Sequence, residues 1–446
     1  MTTRTFSQNR YAMIGNSSAP VRWRGGLAPG HERRGSDLLI GGVPASELAA
    51  VYGTPLLAID YDVFDAAIGR FLQACAPHSI EIAYAGKALL LVALARHLKH
   101  TPLHLDVCSL GELAAAERAA FPPDRIGFHG CGKTDEELDA AAEGRAARVV
   151  VDNLEELRRL AARAGATPVP VLLRINPGIE AHTHEFVRTG GERTKFGFDA
   201  DGLAGALGVL GQSPGLHFEG LHAHIGSQIY DRQAFVENTR VLMERAASAA
   251  AAGFISERIV VGGGFGVRMR PDDPDELAIE ETISEIARTA ARESKRRNLP
   301  APRIGIEPGR ALIAEAGTTL YRVMSAKREF GKPFAIVDGG VYENPRPALY
   351  GAYHHAYAAR EDAQLVETVV CGRSCENDQL GTARLPSDLS EGDIVAMCTT
   401  GAYTYSMAGN YNRFPRPAVV AVRGGTHTLI ARRETIDDVL RNDCDE

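Results

Sequence analysis

The stretch "GFHGCGKT", Gly127 to Thr134, decides the fold, because it fits the phosphate-loop pattern G-x-x-x-x-G-K-[ST] letter for letter. Read as such a loop, it makes the chain a nucleotide-binding enzyme. The neighbouring residues argue otherwise. The next helix opens "TDEELD", which puts Asp135, Glu136 and Glu137 in its first turn, where a triphosphate would bring its own negative charges. Those carboxylates suit a helix N-terminus, with Thr134 as its N-cap. The run "VVVDN" at 149–153 can pose as a Walker-B strand, but it reads equally well as one strand of a longer series.

That series decides between the two readings. From about Ser79, short apolar or β-branched runs alternate with helical periodicity: "EIAYAGK", "LHLDVCS", "RIGFHG", "ARVVVDN", "VPVLLRIN", "GLHAHIG", "RIVVGGG" and "PRIGIEPG". Eight βα units predict an α/β chain with a (β/α)8 TIM barrel, in which "RIGFHG" is the third strand and Lys133 lies in the loop after it. Polar or glycine-rich letters recur at the ends of the runs (Lys87, Ser109, Gly130, Asn176, His224, Gly264, Glu307), where barrel enzymes place their active sites. After about Ala311 the rhythm changes to short strands broken by Gly, Pro and Asp ("PFAIVDGG", "LVETVVCG", "DIVAMCT", "PAVVAVRGG", "THTLIARRE"), which predicts a mainly antiparallel β-domain. The early runs "LLIGGVP" and "TPLLAID" can join it. The expected layout is an N-terminal arm over 1–35, a discontinuous β-domain of 36–59 and 311–446, and a barrel over 60–310.

Bulk properties narrow the function. With 446 residues, 45% hydrophobic and 24% charged with a net charge of -7, the sequence is that of an ordinary globular protein, and nothing suggests nucleic acid. Seven cysteines without a C-x-x-C pair fit a reducing compartment, and a cytoplasmic location is expected. No run approaches the roughly 20 apolar residues of a membrane helix. The first residues carry arginines but no apolar signal core.

The candidate chemistry sits at the strand ends. Lys87 ends the first run among apolar neighbours; a desolvated lysine has a lowered pKa and its neutral amine can condense with an aldehyde, whereas a lone lysine is usually a solvated charge. In "VVGGGFG" the glycines are not a dinucleotide fingerprint, but backbone N–H groups at Gly263 and Gly264 can form a nest for one phosphate. The alternative is a tight strand-to-helix turn. "IEPGR" brings Glu307, Gly309 and Arg310 to the same mouth. His222 and His224, two apart on a strand, share a face and raise the alternative of zinc. Against it, an H-x-H of metal-dependent barrel hydrolases sits on the first strand and this one on the sixth.

Taken in order, "YAGKA", "LDVCSLGEL", "HGCGKT", "RINPG" with "HEFVRTG" and "KFGF", "GLHAHIGSQ", "GGGFG", "IEPGR", "DGG" with "RPALYGAYH", "CGRSCENDQL" and "GAYTYSMAGNYN" resemble the pyridoxal-phosphate decarboxylases with an alanine-racemase-like barrel. The resemblance runs from about Leu38 to the C-terminus. It implies pyridoxal 5'-phosphate as cofactor, no metal, and decarboxylation of meso-2,6-diaminopimelate to L-lysine, with another diamino acid or a siderophore or antibiotic precursor as the alternative substrate. A non-catalytic cofactor-binding regulator would be a further use of the same barrel.

By the same resemblance, Lys87 holds the cofactor covalently, His224 stacks on its ring, Ser227, Gly263, Gly264 and Tyr403 contact its phosphate, Gly309 and Arg310 also bind the cofactor, and Tyr403 also lines the substrate site. Glu307 pairs with the ring nitrogen, keeping it protonated so that the ring can accept electrons. Arg310, Arg346 and Tyr350 receive substrate carboxylates, Glu376 the distal ammonium, and Cys375 returns a proton to the carbanion. A homodimer is implied, with the "CE" pair crossing into the neighbour's site. Two stretches depart from the family pattern on what reads as the substrate side: "VYENP" at 341–345 and "ENDQ" at 376–379.

Overall fold

The computed structural model describes residues 23, 26–179, 194–270, 277–329, 331–360 and 364–444. The motif "HEFVRTG" at 184–190 and most of the N-terminal arm lie outside the described residues. The chain divides into two compact units, one built on Gly69–Gly266 and Glu276–Gly309, the other on Ala19–Ile68, Val267–Asp275 and Arg310–Glu446.

The first unit is a closed barrel of eight parallel strands: Glu81–Ala85, His104–Val107, Ile126–Phe128, Arg148–Val151, Val169–Arg174, Leu216–His222, Arg258–Val260 and Arg303–Ile306. Each falls on one of the eight sequence runs. Their middle residues are mostly apolar on both faces, because a barrel strand packs its interior on one side and a helix on the other. The fourth, "RVVV", shows this directly, with Val149, Val150 and Val151 all buried. Helix starts are chemically marked. Ser109, Thr134, Asn153 and Asp199 each accept, through the side chain, a backbone N–H from the third residue beyond, capping the helices that begin at Leu110, Asp135, Leu154 and Ala200.

The sixth strand corrects an expectation. It ends at His222, so His224 lies in the following loop rather than on a shared strand face. The sequence run sits too far toward the C-terminus because Phe218 to Gly220 contains a bulge in the pairing with the fifth strand, and the apolar letters before it belong to the strand as well.

The second unit centres on a nine-stranded sheet, mainly antiparallel. Its longest strand, Gly317–Glu329, pairs with Leu56–Asp60, with Ile394–Cys398 and with Lys332–Val337. Of the two early runs, "TPLLAID" supplies Leu56–Asp60 to this sheet. "LLIGGVP" instead forms Asp37–Ile40 and Val43–Pro44, which pair with His31–Arg34 in a separate three-stranded sheet. Of the arm read over 1–35, His31–Arg34 is therefore a strand of this sheet. His31 is buried, bonded through Nε2 to Thr318 Oγ1 at 2.8 Å, and Trp23 packs on the same core.

Candidate active site

The candidate site residues of the barrel lie at the end where the strands finish. Lys87 sits in a single tight turn, Gly86–Ala88, directly after the first strand. It is solvent-exposed, whereas Gly86, Ala88 and Leu89 around it are buried, so the apolar letters flank the amine without enclosing it. The turn packs the flanking residues and leaves the lysine at the mouth, where its charge acts on His224 and Glu112.

Glu307 follows the eighth strand and is the electrostatic centre of the mouth. Its Oε2 lies 2.9 Å from His222 Nε2, and its Oε1 lies 3.5 Å from His129 Nε2. Burial alone would raise its pKa, but the facing imidazoles of His222 and His129 outweigh that and hold the carboxyl well below the usual range. His129 also lies 3.2 Å from Asp106 Oδ1. Burial disfavours the imidazolium, yet the two carboxylates overcome it and raise His129 above the ordinary histidine value. His222 goes the other way: burial drops it to about 4 against the pull of Glu307.

His224 is held neutral, its pKa pushed far down by burial, with Lys87 and Arg174 adding to the effect. The geometry agrees, because its Nδ1 accepts the N–H of Gly263 at 3.2 Å. The glycine run is packed against backbone that leaves no space for side chains. A Cβ on Gly263 would stand 2.1 Å from the Glu307 carbonyl, and one on Gly264, at φ +99°, 2.3 Å from the Gly226 carbonyl. The Ile229 N–H bonds to the Gly264 carbonyl at 2.9 Å and so aligns the loop carrying Ser227 with this glycine loop. Gly309 is similarly confined, since a Cβ there would meet those of Ala85 and Ala88 at 3.1 Å.

Lys133, the supposed phosphate-loop lysine, is engaged inside the protein. With its side chain 1% exposed, its Nζ donates to the carbonyls of Gly130 and Val150 at 2.8 and 2.7 Å and to Glu156 Oε1 at 2.9 Å. Thr134 caps the helix through a full capping box with Glu137. Neither residue is available to a nucleotide.

In the second unit, a separate constellation collects cationic and phenolic groups. The Arg310 and Arg346 guanidiniums lie 4.7 and 5.6 Å from the Tyr403 ring centroid, and Arg346 lies 5.0 Å from that of Tyr350. Arg346 is buried; burial, reinforced by Arg310, brings its pKa down to about 10. Its Nε has no hydrogen-bond partner among the described residues. Two guanidiniums held this close favour an anion between them. Cys375 and Glu376 are exposed on a loop fastened by Asp378, whose carboxylate accepts from the Val341 N–H at 2.7 Å and the Ser374 hydroxyl at 2.6 Å. Tyr411 donates to Glu376 at 2.6 Å, and Asn412 accepts from the Cys375 N–H at 3.0 Å.

The departures at 341–345 fall in the interior. Tyr342, Glu343 and Asn344 are buried, with Glu343 accepting from the Tyr321 hydroxyl at 2.5 Å. Four residues of the sites escape a reading of the sequence: Asp106, His129, Arg174 and Asp378. The first three lie within or just beyond strand runs, and a polar letter near the C-terminal end of an apolar strand is the signal that marks them. As for metal, the ligand atoms of His129, His222 and Glu307 lie within 4.8 Å of one another, and His224 is not among them.

These features define a barrel with an exposed lysine, an anionic carboxylate clasped by histidines, a neutral imidazole and a bare backbone cradle. They fit pyridoxal phosphate: an amine for its aldehyde, an anion for its ring nitrogen, and a glycine turn with no side chains of its own beside which its phosphate can lie. The family description "Pyridoxal-dependent decarboxylase, pyridoxal binding domain" matches residues 64–314, and the chain belongs to this family of carboxy-lyases. Among its relatives, the diaminopimelate decarboxylase of Actinosynnema pretiosum subsp. auranticum is 40% identical over 96% of this chain and 98% of its own length. That of Bacillus subtilis is 41% identical over 91% of this chain and 95% of its own. The crystal structure of diaminopimelate decarboxylase from M. jannaschii in co-complex with L-lysine superposes with a TM-score of 0.88 at 30% identity, covering 93% of this chain and 98% of that one.

Proposed function

We propose that the protein decarboxylates meso-2,6-diaminopimelate to L-lysine and carbon dioxide. The observation that carries the chemistry is Glu307, ionised between two imidazoles at the centre of the barrel mouth. Bound pyridoxal phosphate supplies an electron sink for the pair released when the bond to the departing carboxylate breaks. Glu307 would hold the proton on the ring nitrogen, Lys87 would tether the aldehyde carbon, and the uncharged His224 ring would lie against the heterocycle. Ser227, Gly263, Gly264 and Tyr403 would hold the phosphate, and Gly309 and Arg310 would also bind the cofactor. Arg310, Arg346 and Tyr350 bind carboxylate, for which the paired guanidiniums in the second unit are suited. Cys375 delivers the proton that replaces carbon dioxide, and Glu376 holds the distal ammonium. Both sit on an exposed loop, which supports a homodimer in which each subunit completes its neighbour's site. All seven cysteines are free, which supports a cytoplasmic location.

The substrate rests on the relatives, several of them diaminopimelate decarboxylases at 36 to 41% identity over nine-tenths of the chain. Carbon dioxide release from meso-diaminopimelate, ornithine and arginine by the pyridoxal-phosphate-saturated protein tests it. Turnover of diaminopimelate alone is expected, lost in Lys87→Ala; selectivity for ornithine or arginine overturns the substrate.

A further inference from the structure

We infer that His129 is a positioning residue for the carboxylate of Glu307, clamped between Asp106 and Glu307 so that the oxygen left by His222 is held ionised and in place. The inference rests on the reading of Glu307 as the partner of the cofactor's ring nitrogen. Each oxygen of Glu307 has its own imidazole, His222 at Oε2 and His129 at Oε1, and the two rings meet edge to face with centroids 5.2 Å apart. The backbone of His129 is fixed by its N–H bond to the Val107 carbonyl at 2.7 Å. Its Nε2 stands between carboxylates at 3.2 Å (Asp106) and 3.5 Å (Glu307).

The third strand is built around this clamp. A Cβ on Gly127 would come within 2.8 Å of Asp106 Oδ1 and 3.4 Å of His129 Nε2, so only glycine leaves the pair its space. Without His129 two nearly buried carboxylates would face each other, side chains 9% and 11% exposed, and one of them would take up a proton. Burial and the charge of Glu307 already push Asp106 upward, against His129. Of the neighbouring cations, Lys87 acts on His224, and three others are committed elsewhere. Lys133 is tied to Glu156 and two carbonyls, and Arg174 lies 3.7 Å from Asp152. Arg148, which also acts on Asp106, bonds to Glu219 at 2.9 Å, and Glu112, nearby, is an acid. A protonated Glu307 could no longer hold the proton on the ring nitrogen, so the clamp acts on the cofactor through Glu307 without touching it.

The test compares binding of pyridoxal phosphate with binding of its 1-deaza analogue, whose ring carries CH in place of nitrogen, by fluorescence titration of cofactor-depleted protein. Wild type is expected to prefer the natural cofactor. In His129→Gln the preference should shrink about tenfold, one pKa unit at the Glu307 contact, with affinity for the analogue unchanged. Gly127→Ala, which retains every titrating group and only displaces the clamp, should shrink it in the same direction and decides the matter if His129→Gln does not fold. Equal loss of affinity for both compounds, or no change for either, overturns the clamp. Wild-type protein that fails to bind pyridoxal phosphate overturns the underlying functional reading, and the clamp with it.

Discussion

Glu343 carries a carboxyl group in the interior of the second unit, 3% exposed, where it accepts the Tyr321 hydroxyl and faces the carboxylates of Asp338 and Asp378. Burial, against those hydrogen bonds, pushes its pKa up to about 8. In the unfolded chain a glutamate titrates near 4.3. Between these values the folded state binds the extra proton, so this group's contribution is fully present below about pH 4 and is lost as pH rises toward 8. Glu343→Gln should flatten the fall in urea-unfolding stability across that window; an unchanged slope would show that the carboxyl does not titrate there. Sequence alone places this residue beside the substrate because it breaks a family pattern in a segment flanked by site residues. Its carboxyl is engaged by Tyr321, and burial of a single polar letter has no local signature. For the same reason His129 is legible only as part of a motif, while Glu307, announced by its Pro-Gly-Arg sequel, is found directly.

At the opposite end of the barrel from Lys87, charges in the first residues of several strands join the buried Glu219 in a partly buried network. Arg258 bonds to Glu219 at 2.8 Å and to Glu81, Arg148 bonds to Glu219 at 2.9 Å, and His104 Nε2 lies 3.8 Å from Glu81. Burial would raise the Glu219 pKa, but Arg148 and Arg258 outweigh it and lower the value, so its contribution exists above the unfolded pKa and vanishes as the solution is acidified. Glu219→Ala takes the shared carboxylate from both guanidiniums and should cost about 3 kcal/mol in chemical denaturation, with turnover per folded molecule retained. A change of under about 0.5 kcal/mol would show that the network is indifferent to this residue. At this scale the barrel is legible because each strand is a short aliphatic run ended by glycine or a polar residue. The strand Gly317–Glu329 is not, since its first half is buried and its second exposed, so no single periodicity covers it. Gln379–Pro386 is hidden similarly, with Gly381 and Thr382 interrupting its alternation.

For the whole molecule, the exposed positions of Cys375 and Glu376 set the decisive experiment on assembly. If each subunit lends these residues to the other, mixing inactive Lys87→Ala and Cys375→Ala proteins under exchange conditions should restore activity. Random pairing makes half the dimers hybrid with one complete site each, or about a quarter of the wild-type rate. No recovery would confine the site to one chain. The two lysines that the sequence marks out differ in kind. Lys87 lies open to solvent, while Lys133 commits its ammonium to two carbonyls and a glutamate. An acylating nucleotide probe, which tags amines that it can reach, will therefore pass over the residue that a pattern search selects. In cofactor-depleted protein the same reagent can consume the amine on which catalysis depends, so labelling at residue 87 there reports accessibility and gives no sign of ATP recognition.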